Sequence, residues 1–473
     1  MKKIHVMIIA SLSLLLAGCL IYGALSIYVN TPRLPAGTTL SGWSVGGQPD
    51  GDVLNELERR LAALEQLPLS LMGWPRSGEE KLTLGEAGVT YRAEAFKAAV
   101  SQLQEGTLWE RAFSRYTFAQ AYSLEVHQDL ELLKQRLNES WEQEQFGKPV
   151  NAVRTITGDE VRYIPEQSVL RIQWPLLEAS FAAALPRDFA MLDAGGPLSI
   201  ELPLQLQSPE VTVATLRAEG IQRKIIQFST SLGASGPGRV HNITAAAAAV
   251  DGMILKPGEV FDYAKVVAQA RKQHGFREAP VIISGKLVPG VGGGICQVSS
   301  TIYNAVLLTG LEVVERRNHS LPVNYLPKGL DATYAEGYIN FRFRNSTGKH
   351  LLLQAQVVDK VLTVKLFGTF PDNIVYSLDT KLVEQIPAPR SYVRDSSLPP
   401  GQQKLLQPGK PGYVIETYRS KQVNGKIVER ERLSRDVYKG QSSLIGMNPS
   451  HGEIPGTQGQ LKAPVVEDGV SSP

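Results

Sequence analysis

The chain has 473 residues, is 43% apolar and 20% charged, and carries 49 Lys and Arg against 46 Asp and Glu for a formal net charge of +3. At roughly 150 residues per domain this suits about three domains, and the composition excludes a coiled coil, a disordered chain and a polytopic membrane protein. No Lys/Arg-rich run offers a nucleic-acid footprint, and two cysteines, Cys19 and Cys296, exclude a disulfide scaffold and a four-cysteine zinc site.

The first element is apolar. Lys2 and Lys3 precede a stretch from Ile4 to Val29 that is long enough to cross a bilayer, which takes about 20 apolar residues. Residues 1–29 are therefore predicted to be a single-pass signal anchor, with the basic end cytoplasmic and the bulk of the chain outside. Leu16-Ala17-Gly18-Cys19 resembles a bacterial lipoprotein cleavage box, a rival in which Cys19 is lipidated, and ordinary cleavage is a third route. All three export the rest.

Residues 30–79 read as a Pro- and Gly-rich linker followed by a helix, Asp52 to Leu67, in which Val53, Leu57, Leu61 and Leu64 recur at helical spacing. Residues 80–206 mix helical patterns with short strand runs such as Tyr122 to Val126, an α+β domain without a chemical constellation. From Lys224 the texture turns β-rich, with two strand runs split by Asp359-Lys360. Residues 372–447 start a new unit in which Asn424-Gly425 signals a type I′ hairpin. Residues 448–473, poor in aromatics, read as disordered. The expected fold class is α+β, multidomain and membrane-anchored, with a β-rich catalytic domain holding one long helix.

That helix starts at the most unusual run of the sequence, Gly292-Gly293-Gly294-Ile295-Cys296-Gln297. Three glycines in a row suit a place where side chains cannot fit. Val298, Ile302, Ala305 and Val306 then follow near helical spacing, and Gly310 can end the helix. Cys296 thus falls at a helix N-terminus, where free N–H groups and the dipole favour a thiolate. The N–H groups from Gly294 to Gln297, those of Ile295 and Gln297 included, could also hold an oxyanion.

A nucleophilic cysteine needs a base. His319, in the polar knot Glu315-Arg316-Arg317-Asn318-His319-Ser320, is the first candidate and His241 the alternative. A helix of roughly four turns followed by an extended return would bring His319 back towards Cys296. Arg316 or Arg317 could hold a substrate carboxylate, with one of them pairing with Glu315 or Glu312, and Ser299 and Ser320 complete the expected substrate-binding set. A buried, inert Cys296 remains the plain alternative. No Cys/His pair has metal-ligand spacing, so neither metal nor cofactor is expected.

The run GGGICQVSSTIYNAVLLTGLEVVERRNHSLPVNYLPKGLDAT resembles the core of the VanW family, and Arg239, Asn242-Ile243, Pro257-Gly258-Glu259, Phe341, Phe343 and Asn345 fit the same pattern. The resemblance covers about residues 220–370, with one departure at Asp262-Tyr263-Ala264-Lys265. Residues 80–206 resemble the peptidoglycan-binding domain found ahead of VanW domains, and residues 372–447 resemble the G-five extracellular module. The family resemblance implies a peptidoglycan L,D-transpeptidase with Cys296 as nucleophile, a cell-membrane protein facing the wall, and peptidoglycan stem peptides and glycan as partners. A non-catalytic wall-binding or envelope-assembly protein, and a cysteine peptidase or amidase on the same substrate, are the alternatives.

Overall fold

The computed structural model describes residues 2–73, 79–283, 286–448 and 466–470. Its contacts divide the chain into two units. The first comprises residues 1–150 and 167–210, and the second residues 151–166 and 211–473.

The first unit begins with α1 (Lys2–Val29), whose side chains are exposed except near its end. At 1.5 Å per residue its 28 residues reach about 42 Å, more than the ~30 Å hydrocarbon layer. Such an apolar helix fits a signal peptide or a single membrane anchor. Helix α2 (Asp50–Glu65) buries Val53, Leu57, Leu61 and Leu64 along one face. Strand β1 (Pro68–Met72) pairs antiparallel with β2 (Glu79–Thr83). Helix α3 (Leu108–Tyr116) opens on a capping box between Thr107 and Glu110, and Arg111 donates to the Val29 carbonyl at the end of α1. Its Trp109, Phe113 and Tyr116 are exposed. Helix α4 (Trp174–Ala184) buries Leu177 and Phe181, and β3 (Leu198–Glu201) lies parallel to β1. Leu34, Leu40 and Val45 share this core with Phe96 and Phe181, so residues 30–50 are packed structure rather than the linker their Pro and Gly content suggests.

In the second unit, residues 151–166 form a hairpin, Val153–Thr157 with Glu160–Ile164, within the span that the sequence assigns to the 80–206 domain. Arg154 pairs with Glu219 at 2.7 Å and Tyr163 donates to the Ile221 carbonyl. Strand β4 (Arg223–Ser231) leads into α5 (Pro237–Val250), β5 (Met253–Leu255) and α6 (Tyr263–His274). Strands β6 (Glu278–Ile283) and β7 (Lys286–Val291) form an antiparallel hairpin that delivers the glycine triplet to α7 (Ile295–Leu307). Strand β8 (Glu312–Glu315) then returns. Strands β9 (Leu351–Val358) and β10 (Val361–Gly368) are joined at Asp359 and Lys360, both with positive φ as a primed turn requires.

One four-stranded sheet has the order β4-β10-β9-β5. Every residue of α7 is buried, and Ile302 and Val306 join Ile243, Leu353, Val364 and Leu366 in the core. Long strands β11 (Ile374–Ile386), β12 (Gly412–Val423) and β13 (Lys426–Tyr438) make an antiparallel sheet in that order, turning at Asn424-Gly425. Finally, β14 (Val466–Glu467) pairs antiparallel with β6. Residues 466–470 are thus ordered, a correction to the disordered reading of 448–473. Their low aromatic content reports the absence of a core of their own, not of one to dock on. The rest of that span, apart from Asn448, lies outside the described residues.

Candidate functional site

The glycine triplet turns the chain from β7 into α7 through a crowded gap. A Cβ on Gly293 would sit 2.5 Å from the Pro280 carbonyl oxygen, and Gly294, at φ 109°, presses against Arg239. Asn242 fixes the turn: its amide donates to the Gly293 and Arg277 carbonyls and its oxygen accepts from the Arg277 N–H. Cys296 is therefore the second residue of the helix and is fully buried.

The free N–H groups at this start are filled. Asp468 Oδ1 accepts from Cys296 N at 2.9 Å and from Gly294 N at 3.2 Å, while Oδ2 pairs with Arg239 at 2.9 Å. The N–H groups of Ile295 and Gln297 point inward to the Gly292 and Gly294 carbonyls. The anion seat therefore consists of Gly294, Cys296 and Arg239, and the oxyanion role expected of Ile295 and Gln297 is corrected accordingly. Gln297 instead ties α7 to β4 through Thr230 and the Ser231 carbonyl.

Cys296 Sγ accepts from Tyr334 N at 3.0 Å and donates to Tyr334 O at 3.4 Å. Burial, and then the Asp468 carboxylate, push its thiol well above the ordinary range. The expectation of a thiolate-favouring helix start thus fails in this conformation, because the thiol is buried and a carboxylate already holds the positive end of the helix.

His319 is also fully buried. Its Nδ1 lies 2.7 Å from Asp331 Oδ2, which also accepts from the His319 backbone N–H. Tyr438 from β13 donates to the other Asp331 oxygen. Burial would lower the imidazole pKa, but the Asp331 hydrogen bond and charge, with Asp468 and Glu467 beyond, raise it overall. Asp331 is held at about 2: burial opposes this, and His319 and Arg316 outweigh burial. A carboxylate there makes Nδ1 the protonated nitrogen. His319 Nε2 is buried, with no hydrogen-bond partner among the described residues. Among the described residues no hydrogen bond joins Cys296 Sγ to either candidate histidine. Both Cys296 and His319 lie in the field of Asp468 and Glu467, whereas His241 Nε2 faces the Gly275 carbonyl.

Ser320 donates from N and Oγ to Glu467 Oε2, both at 2.9 Å. Ser299 instead donates to the Cys296 and Ala332 carbonyls in the core, a helix-fastening place rather than the substrate-facing one expected. The Arg316 side chain is buried; its Nη1 donates to both Asp436 carboxylate oxygens at 2.7 Å, and Nε and Nη2 donate to the Asp331 and Gly329 carbonyls. All three of its guanidinium nitrogens are engaged within the protein, and the ion-pair partner is Asp436 rather than Glu315 or Glu312. Arg317 is exposed. Asp331, Asp468, Tyr334 and Arg239 were not assigned roles from the sequence. Asp331 and Arg239 lie inside the VanW-like pattern, which was the available signal.

The chain matches the VanW like protein family over residues 238–367 and the G5 domain over residues 379–443. It is 33% identical over 228 residues to the uncharacterized protein YoaR of Bacillus subtilis strain 168, covering 48% of this chain and 72% of that one. The chain belongs to the VanW family. The vancomycin B-type resistance protein VanW of Enterococcus faecalis is 28% identical over 163 residues, 33% of this chain and 57% of its own. Among solved structures, the IgA1 protease G5 domain is 22% identical at a TM-score of 0.14, covering 16% of this chain and 92% of that one. The HP0197 G5 domain is 31% identical at 0.12, covering 15% and 97%. The VanW and G5 matches, with an apolar first helix, fit a cell-envelope protein. The VanW segment contains Arg239, Cys296, His319 and Asp331, and the G5 segment contains Asp436 and Tyr438.

Proposed function

We propose that this VanW protein is an acyltransferase on peptidoglycan stem peptides, an L,D-transpeptidase with Cys296 as nucleophile and His319 as base. The observation that carries the reading is His319, oriented by the buried Asp331 through Nδ1 with Nε2 left unpaired, in the same charged neighbourhood as the thiol. A carboxylate that fixes the tautomer of an imidazole whose other nitrogen is free is the arrangement a general base needs.

In the reaction, Sγ–H gives its proton to His319 Nε2 and Sγ attacks the carbonyl carbon of a stem-peptide residue. The N–H groups of Gly294 and Cys296 receive the oxyanion. The C–N bond to the terminal D-amino acid breaks, its nitrogen takes the proton from Nε2, and a thioester remains. An amine of a second stem then attacks the thioester and yields its proton through His319 to the departing Sγ. One amide bond is exchanged for another. Water in place of the amine would make the same site a peptidase or amidase. Residues 80–206 would bind the wall, with the G5 segment as a second wall contact and α1 as the membrane tether.

The test is muropeptide analysis of cells making the wild-type chain or Cys296→Ala. Crosslinks that depend on Cys296 support the reading; crosslinks unchanged by the alanine variant overturn it. The buried, raised thiol specifically favours a second reading, a wall-binding protein without catalysis. That reading expects both variants to bind sacculi equally and to leave muropeptides unaltered.

A further inference from the structure

We propose that the groove before Cys296 is a binding site for an extended peptide carrying a carboxylate, and that Val466–Val470 is its built-in, displaceable occupant. The displacement part rests on the catalytic reading above; the binding part does not.

The segment fits this groove residue by residue. Val466 and Glu467 add to the free edge of β6, opposite Ile283 and Ile282, as a peptide ligand adds a strand. The Asp468 carboxylate meets three donors, the N–H groups of Gly294 and Cys296 and the Arg239 guanidinium. One residue earlier, Glu467 takes both Ser320 donors. Gly469 passes where a Cβ would lie 2.6 Å from Val281 Cγ1 and 2.9 Å from the Val291 carbonyl oxygen. Val470 donates to that same carbonyl and is 3% exposed within the core cluster that contains Cys296. Main-chain pairing, two carboxylate seats and a position that admits only glycine make a built recognition site rather than a chance contact.

The second observation is His319 Nε2, buried and unpartnered, with Glu467 and Asp468 among the charges it feels. The Asp468 carboxylate takes the N–H pair that the catalytic reading gives to the oxyanion, and it raises the thiol pKa. Occupied, the site keeps Cys296 neutral and covered; vacated, it exposes the helix start. The ligand class is an extended peptide whose carboxylate reaches Arg239. That group can be a side chain or a chain-terminal carboxylate, since both present the same two oxygens.

The experiment uses the full chain, a chain stopped at Asn448, and full-length Asp468→Asn, all in a Cys19→Ser background because Cys19 is an exposed thiol. The probe is fluorescein-labelled Val-Val-Glu-Asp-Gly-Val, read by anisotropy. Saturable binding to the shortened chain is expected, at least about tenfold weaker to the full chain, where an attached segment competes at an effective concentration of order millimolar. The Asp→Asn peptide should bind at least about tenfold more weakly. Unlabelled Val-Val-Glu-Asp-Gly-amide and Val-Val-Glu-Ala with a free terminal carboxylate compete in separate arms, which separates the two carboxylate sources. In parallel, iodoacetamide should modify Cys296 faster in Asp468→Asn than in the full chain, and the added peptide should protect the shortened chain. A folded shortened chain that ignores the peptide, or an Asp468→Asn thiol as slow as the wild type, overturns the proposal. Neither readout involves peptidoglycan, so a failure of the catalytic reading would register separately.

Discussion

The two units build their cores on different principles. Both assemble large clusters of Leu, Val, Ile and Phe. Among the described residues of the first unit the buried polar groups are few: Thr38, Ser70 and Arg115, with the buried polar atoms of Thr90, Tyr91 and Gln128. The second unit buries far more, with Asn242, Gln297, Ser299, His319 and Asp331 among them. Buried polar groups cost stability unless fully paired, and paired they hold a unique geometry. The first unit is therefore stabilised by area and tolerant of changes in detail. In the second, stability and the arrangement around Cys296 depend on the same hydrogen bonds.

The largest effect that would sharpen this contrast is chemical. Cys296→Ala is expected to lower crosslink formation by at least about 10³-fold, the scale of losing a nucleophile, with the fold intact by circular dichroism. Activity surviving in that variant would break the link between the polar network and catalysis. Next comes Asp331→Ala, which strands His319 and removes an acceptor from Tyr438. Breaking a buried charged pair costs about 3–5 kcal/mol, measurable by denaturant unfolding of the second unit. A loss as small as that of a surface change would show that the network is dispensable.

A third expectation is pH dependence. Asp331 is depressed to about 2, so its contribution is present above the usual carboxylate pKa near 4 and is lost as pH falls through about 2. His319 is raised, so its contribution is present below about 6.5 and is lost as pH rises through its folded value. Hydrogen exchange of α7 across pH should show both flanks, and the first unit, without such a pair among its described residues, should show neither. The smallest effect belongs to that first unit. Thr107→Ala removes the capping box of α3 and should cost about 1 kcal/mol, seen as faster exchange confined to that helix. A response spreading into the sheet of β1 would mean this core is less tolerant than its composition implies.

What the sequence made legible was local. The glycine triplet, the helix behind it and the turns at Asp359-Lys360 and Asn424-Gly425 follow from glycine content, apolar spacing and turn chemistry over a few residues. So did the extended return of Glu312–Glu315 after α7, since helix rise and strand length must balance. The hidden parts were long-range and polar. Asp331 stands in a loop where no periodicity marks it, and Arg316 reaches Asp436 across 120 residues of chain. Asp468 lies in a stretch whose composition reads as disorder. Burial, and then a carboxylate at the start of α7, invert the thiol expectation, since helix-end electrostatics depend on which anion arrives first.

The alliance of Arg316 with Asp436, and of Asp331 with Tyr438, bears on how the chain can be divided. The VanW and G5 segments are separate families by sequence, meeting between residues 367 and 379. Buried ion pairs and hydrogen bonds nonetheless join them across that point. Excising the G5 segment would leave the Arg316 guanidinium buried without its counter-ion and Asp331 short of a donor, next to the imidazole it orients. The unit of inheritance and the unit of cooperative folding thus have different borders, and the site belongs to the larger of the two.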